Sequence, residues 1–123
     1  MSDLEQVLAN QQRAREALNE AMVEIQMRIL DGHTTAAQRV VLTNRQMQLG
    51  RLRIETETEN IRVIAANSAV AAAIAELDAA TRDLVRVANR MKSATDIVST
   101  ADDVISFAAK VPPALKKISD AIG

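Results

Sequence analysis

An apolar ladder with a seven-residue period and one polar interruption runs through the middle of this chain and constrains its fold more than any other feature. One series occupies every seventh position from Leu42 to Ile105, and a second series lies three residues after each member of the first. Alternating spacings of three and four residues keep one face of an α-helix turned towards a partner helix. The pattern therefore predicts a helical protein whose long seam packs against other helices.

The composition agrees with an all-α fold and argues against several classes of function. Good helix formers dominate, and the alternation with period two that marks β-strands is missing. Lys and Arg number 15 against 16 Asp and Glu, and Phe107 is the one aromatic residue of the 123. A nucleic-acid binder normally has a clearly basic face and often aromatic stacking platforms. We therefore expect no nucleic-acid partner.

The first 35 residues contain the signals of a helix, a bend and a second helix. Ser2 with Glu5 has the spacing of a capping box, and Thr35 with Gln38 repeats it. Gly32 lies between them, where the left-handed conformation after a helix C-terminus favours glycine. A bend this short predicts an antiparallel hairpin.

The pairing within that hairpin follows from the position of the bend. In an antiparallel hairpin with this bend, each residue of the first helix faces the residue of the second helix whose number brings the sum of the two to about 67. With this pairing, apolar residues of one helix face apolar residues of the other. The polar residues Gln11 and Arg15 of the first helix then meet Thr56 and Glu59 of the second. We interpret these four residues as a polar layer that sets the alignment of the two helices. The match predicts that the second helix continues unbroken through residues 53–60.

These observations predict one helical domain over residues 1–123, with a first helix at 1–31, a long helix at 35–92 and C-terminal helices at 96–122. The fold class is an antiparallel helical hairpin on one long heptad-patterned helix with a C-terminal helical segment. The competing interpretation is a four-helix up-down bundle, in which the threonine- and glutamate-rich segment 53–60 is a loop. No Gly or Pro marks a turn there, which favours the long helix.

An alanine-rich part of the seam extends beyond the reach of the first helix. Residues 61–75 are apolar or small on almost every side, which is typical of a helix that several neighbours cover. The C-terminal segment is the candidate cover within the chain, and a second copy or another helical protein is the candidate outside it. The predicted interface positions are Val63, Ala66, Val70, Ala73, Leu77 and Ala80.

Residues that could carry chemistry are sparse. His33 is the one histidine, it lies in the predicted bend, and no second histidine stands at the spacing of a metal site. Aligned carboxylates such as Glu16, Glu20 and Glu24 fall off the apolar seam and predict a solvated face. We expect no catalytic residue, no metal and no cofactor, and therefore no enzyme.

The favoured hypothesis is a non-enzymatic module for protein–protein interaction or assembly that acts through the alanine-rich heptad seam. The first alternative is a membrane-active or exported protein whose apolar segments 61–75 and 97–111 insert into a bilayer. The second is a helical inhibitor or chaperone of one protein partner. No signal sequence or membrane-spanning run occurs in the chain, so a cytoplasmic location is the expectation, with export that needs no signal left open.

Overall fold

A computed structural model describes residues 2–121 and contains helices joined by turns and one irregular connection. The helices are α1 (Asp3–Ile29), α2 (Ala36–Thr58), α3 (Ser68–Arg90), α4 (Ile97–Ala108) and α5 (Val111–Asp120), with a short 3₁₀ turn at Met91–Ser93. The all-α class is confirmed. Ile122, which the sequence pattern assigns to the last helix, lies outside the described residues.

Helices α1 and α2 form the predicted hairpin, and both predicted caps are present. The side chain of Ser2 accepts a hydrogen bond from the backbone N–H of Glu5, and its hydroxyl contacts the Glu5 carboxylate (3.2 Å), whereas the complete reciprocal capping box forms at Thr35 with Gln38. Gly32, however, does not adopt a positive φ, so the expectation of a left-handed glycine is wrong. The hydroxyl of Thr34 donates instead to the carbonyl oxygen of Arg28 (2.6 Å) and satisfies the end of α1.

The unbroken helix over residues 35–92 is wrong. Helix α2 ends at Thr58, and residues 59–67 form an irregular connection without Gly or Pro. Ile61, in the middle of this connection, is buried, and the side chain of Asn67 caps α3 by accepting from the backbone N–H of Val70 (2.9 Å). The fold is therefore the competing interpretation, a four-helix up-down bundle.

The topology explains why the chain leaves the helix here. Helix α1 contacts both α2 and α3, whereas α2 and α3 do not touch one another within the described residues and occupy diagonal corners of the bundle. The connection must therefore cross one end of the bundle. Residues 59–67 can do so because an extended chain covers about 3.3 Å per residue, more than twice the rise of a helix.

The free-energy balance favours this break over a longer helix. Propagating a helix gains at most about 0.3 kcal/mol per residue, even for good helix formers. Folding α3 back buries Leu77 and Leu84 completely, and each such side chain contributes roughly 1.5–3 kcal/mol. Burial of the seam within one chain therefore outweighs the helical turns that are lost.

Helices α4 and α5 together form the fourth side of the bundle. Both pack against α3 and α2, so the C-terminal segment does fold back on the seam. Asp96 caps α4, and the chain bends at residues 109–110 before Pro112 and Pro113 enter the first turn of α5. Proline fits there because the first helical turn needs no backbone donor.

The close packing of α3 leads to a testable prediction. Ala73→Leu should lower the free energy of unfolding by about 1–3 kcal/mol, because Ala73 is buried and a larger side chain overpacks the core. Urea denaturation followed by circular dichroism measures this change. The matched control is Ala72→Leu on the exposed face of the same helix, which should change stability by less than about 0.5 kcal/mol. Equal stability of the two variants would contradict the packing of α3 described here.

Candidate interaction site

The predicted interface positions divide into two groups in the structure. Val70, Ala73, Leu77 and Ala80 are buried in the core of the single chain, beneath α1, α4 and α5. Val63 and Ala66 lie in the connection before α3 and are exposed. The seam is not available to a partner in this fold, because the C-terminal helices already cover it.

The predicted polar layer comes together, but it has a different role. The side-chain amide of Gln11 donates to the backbone carbonyl oxygens of Thr56 (2.7 Å) and Glu59 (2.8 Å), and Arg15 lies 3.9 Å from Glu57. Gln11 therefore meets Thr56 at the predicted level of the hairpin. It satisfies carbonyl groups that the end of α2 leaves without helical partners. The layer terminates the helix rather than marking its continuation.

The bend contains the one histidine, and its side chain is fully exposed. The carboxylate of Asp31 accepts a hydrogen bond from the backbone N–H of His33 (2.9 Å). The Nδ1 atom of the His33 ring lies 3.0 Å from the same carboxylate oxygen. These contacts lower the pKa of the Asp31 carboxyl group. The hydrogen bond from the His33 backbone has the larger effect, and the contact with the His33 ring has the smaller one. Any stability from these contacts is lost as the pH falls through that lowered pKa. Over residues 2–121, no three acidic or histidine side chains gather into a candidate metal site.

A surface that the sequence analysis missed lies on the outside of the hairpin. Five large apolar side chains are more than half exposed on the half of the hairpin nearest the bend, and we call them the outward face: Val23, Met27 and Leu30 on α1, with Val40 and Met47 on α2. Ile54 continues the α2 row one heptad further along and is also exposed. A second seven-residue spacing, from Val40 through Met47 to Ile54, was the signal in the sequence that could have revealed it.

The contacts between α1 and α2 show that both rows point the same way. The Cε atom of Met22 packs beside Gly50 of α2, 3.5 Å from the point where a Cβ on that glycine would lie. The side-chain amide of Gln46 donates to the backbone carbonyl oxygen of Met22 (3.2 Å). These residues mark the line where the helices touch. Val23 and Met47 each lie one residue further, about 100° around their helix and away from the core. The two rows therefore flank one groove on the solvent side of the hairpin.

Polar side chains link α1 and α2, and the charged residues of the two helices have partners of several kinds. Arg53 of α2 donates to the side-chain oxygen of Asn19 on α1 (2.9 Å), whereas Glu16 and Glu20 of α1 line a depression with Val85 and Asn89 of α3. From Ala36 to Ile54, α2 contains four arginines and no acidic residue. These arginines are not all free to meet a partner, because Arg45 pairs with Asp102 of α4 and Arg53 bonds to Asn19.

Comparison with known proteins identifies no relative of this chain. No protein-family profile matches the chain, and neither the curated proteins nor the solved structures include a significant match. Within residues 2–121, no helix combines the length and the apolar character needed to cross a bilayer.

The role of Gln11 can be tested through stability. Gln11→Ala should lower the free energy of unfolding by about 1–3 kcal/mol, because two partly buried carbonyl groups lose their donor. The neighbouring Gln12→Ala is the matched control, since the Gln12 amide donates to exposed Glu16 in the same helix (3.1 Å). Thermal or urea unfolding of both variants provides the comparison. A loss no greater than that of the control would contradict the capping role.

Proposed function

We propose that this protein is a non-enzymatic helical module for protein–protein interaction, and that the outward face is its binding surface. The observation that carries the proposal is the grouping of exposed Val23, Met27, Leu30, Val40 and Met47 along one groove between two helices. Single exposed apolar residues are ordinary on protein surfaces, but a contiguous patch is typical of an interaction site.

The shape of the groove favours a helical partner. Two antiparallel helices present parallel ridges with a furrow between them, and a third or fourth helix packs into such a furrow. Full burial of a large apolar side chain contributes roughly 1.5–3 kcal/mol, so burial of the exposed part of these five side chains opposes the entropy lost on association. Met27 and Met47 add flexible side chains that adapt to the partner surface.

The membrane alternative is less well supported by the packing. Insertion of segments 61–75 and 97–111 would have to release Val70, Ala73, Ala101 and Val104, which are buried in the core. An interaction at the outward face leaves that core intact. The inhibitor or chaperone hypothesis uses the same surface and differs only in the partner. A cytoplasmic location, as the sequence predicts, forms part of this proposal.

Site-specific photo-crosslinking tests the binding surface directly. A photoreactive amino acid at Met47 should give a discrete crosslinked protein band in the cells that produce the protein, because this exposed side chain belongs to the outward face. The same amino acid at exposed Ala72 of α3, on another face of the bundle, should give none. Mass spectrometry then identifies the crosslinked partner.

Each outcome of that experiment has a defined meaning. A band specific to position 47 supports the proposal, whether it contains a second copy or a different protein. No band at 47, or equal bands at 47 and 72, would overturn it.

A further inference from the structure

We propose that residues 59–67, which connect α2 to α3, are a hinge through which two copies of this chain exchange their C-terminal halves. In the exchanged dimer the hinge is helical and α2 continues into α3. The hairpin of α1 and α2 then packs with α3, α4 and α5 of the partner subunit. The inference goes beyond the proposed function, because the outward face has no part in the exchange.

The hinge contains no residue that stops a helix. Gly and Pro are absent from residues 59–67, and none of these residues, all of which the structure describes, has a positive φ. Glu59, Arg62 and the two alanines are good helix formers, and no hinge residue has a helix propensity as low as that of glycine or proline. The chain therefore leaves the helix after Thr58 because folding back buries its seam, and a local stop signal is not the cause.

The apolar seam keeps its phase across the hinge. Thr56 is the last buried seam residue of α2, and Val70, the first of α3, lies two heptads further along the chain. In a continuous helix, Val63 and Ala66 occupy the seam positions between them. Both are exposed in the monomer, and Val63 keeps 61% of its surface accessible. A helical hinge therefore moves two exposed apolar side chains onto the face that α2 and α3 bury.

The positions of the helices allow the exchange without rebuilding the core. Because α2 and α3 occupy diagonal corners and make no contact within the described residues, straightening the hinge separates no packed pair of helices. A two-fold axis perpendicular to the helices, passing near Val63, places the two continuous helices antiparallel at diagonal corners. The contacts of the hairpin with the C-terminal half, including the ion pair of Arg45 with Asp102, then form between the two copies. Exchange of an identical element in this way is a low-cost route to a dimer.

Contacts at the hinge decide between the two forms. In the monomer, Ile61 is buried and Gln11 donates to the carbonyl oxygens of Thr56 and Glu59. In the continuous helix, backbone N–H groups four residues further along take over both carbonyl groups, and Val63 gains cover while Ile61 loses it. Association also costs translational and rotational entropy, so we expect the monomer at low concentration and the exchanged dimer after folding at high concentration.

A crosslink between the two halves distinguishes exchange from association of intact monomers. The chain contains no cysteine, so Arg45→Cys on α2 with Asp102→Cys on α4 introduces one defined pair. The variant is refolded from urea at roughly 1 mM, monomer and dimer are separated by size exclusion, and a short bismaleimide is added to each. The dimer fraction should give a covalent dimer on a denaturing gel, and the monomer fraction a crosslinked single chain.

A second cysteine pair is the matched control. Glu76→Cys on α3 with Lys117→Cys on α5 replaces an ion pair that lies within the exchanged half, so its crosslink should stay within one chain in both fractions. Crosslinks of the first pair that also stay within each chain of the dimer would overturn the inference. A chain that refolds at this concentration only to a 13.3 kDa monomer would overturn it as well.

Changing the hinge tests the same inference from both directions. Deletion of residues 60–66 removes one heptad and leaves two hinge residues, which span about 10 Å, whereas diagonal corners lie about 11–14 Å apart when neighbouring helices are 8–10 Å apart. The shortened chain should therefore keep its helicity and form a dimer at every concentration measured by sedimentation equilibrium. A monomeric or unfolded deletion variant would contradict the exchange.

Val63→Pro should have the opposite effect, because proline interrupts the continuous helix in both copies. The dimerisation constant should fall at least about a hundredfold, while the helicity of the monomer stays unchanged because Val63 is exposed outside any helix. Arg62→Ala, at the exposed neighbouring position, is the control and should keep the dimer, since alanine favours a helix. A Val63→Pro variant that dimerises like the wild type would show that the hinge does not become helical.

Discussion

Burial of the apolar seam on α3 is the interaction on which the rest of the structure depends. Helix α1 covers one side of this seam, and α4 and α5 cover the other, so that Leu77 and Leu84 lose all contact with water. Helices α1, α4 and α5 pack directly on α3, and α2 packs on those three helices. A continuous helix from residue 35 to 92 would leave the same seam exposed to solvent, and the hydrophobic cost of that exposure is larger than the gain from additional helical turns.

A polar side chain of α1 satisfies the backbone carbonyl groups at the end of α2, where the chain leaves the helix. A helix that ends without Gly or Pro leaves carbonyl groups without partners, and these groups are costly when they lie away from water. Gln11 supplies both donors from a different helix. The same contact fixes the level at which α1 and α2 pair. One side chain thus links the register of the hairpin to the position of the chain reversal.

Covering the seam from within the chain moves the candidate interaction site to another surface. Once α4 and α5 occupy the inner side of the hairpin, the apolar residues that remain exposed are mainly on its outer side. Val40 and Met47 were overlooked in the sequence because a stronger seven-residue pattern, through Leu42 and Leu49, runs two positions later in the same helix. That stronger pattern predicts the core correctly, and the weaker one predicts what the core leaves uncovered.

The sequence by itself determined the helical class, the hairpin of α1 and α2, the N-cap residues Ser2 and Thr35 and the level at which Gln11 meets Thr56. These features depend on neighbours within one or two helical turns, or on one short bend, and local spacing is sufficient to specify them. Only the tertiary structure decided that residues 59–67 leave the helix and that the alanine-rich seam is covered by its own chain. A heptad pattern that keeps its phase is equally compatible with one long helix and with two helices that share that phase. The choice between them depends on which distant segments compete to bury the same side chains, and that competition is decided by packing rather than by local spacing.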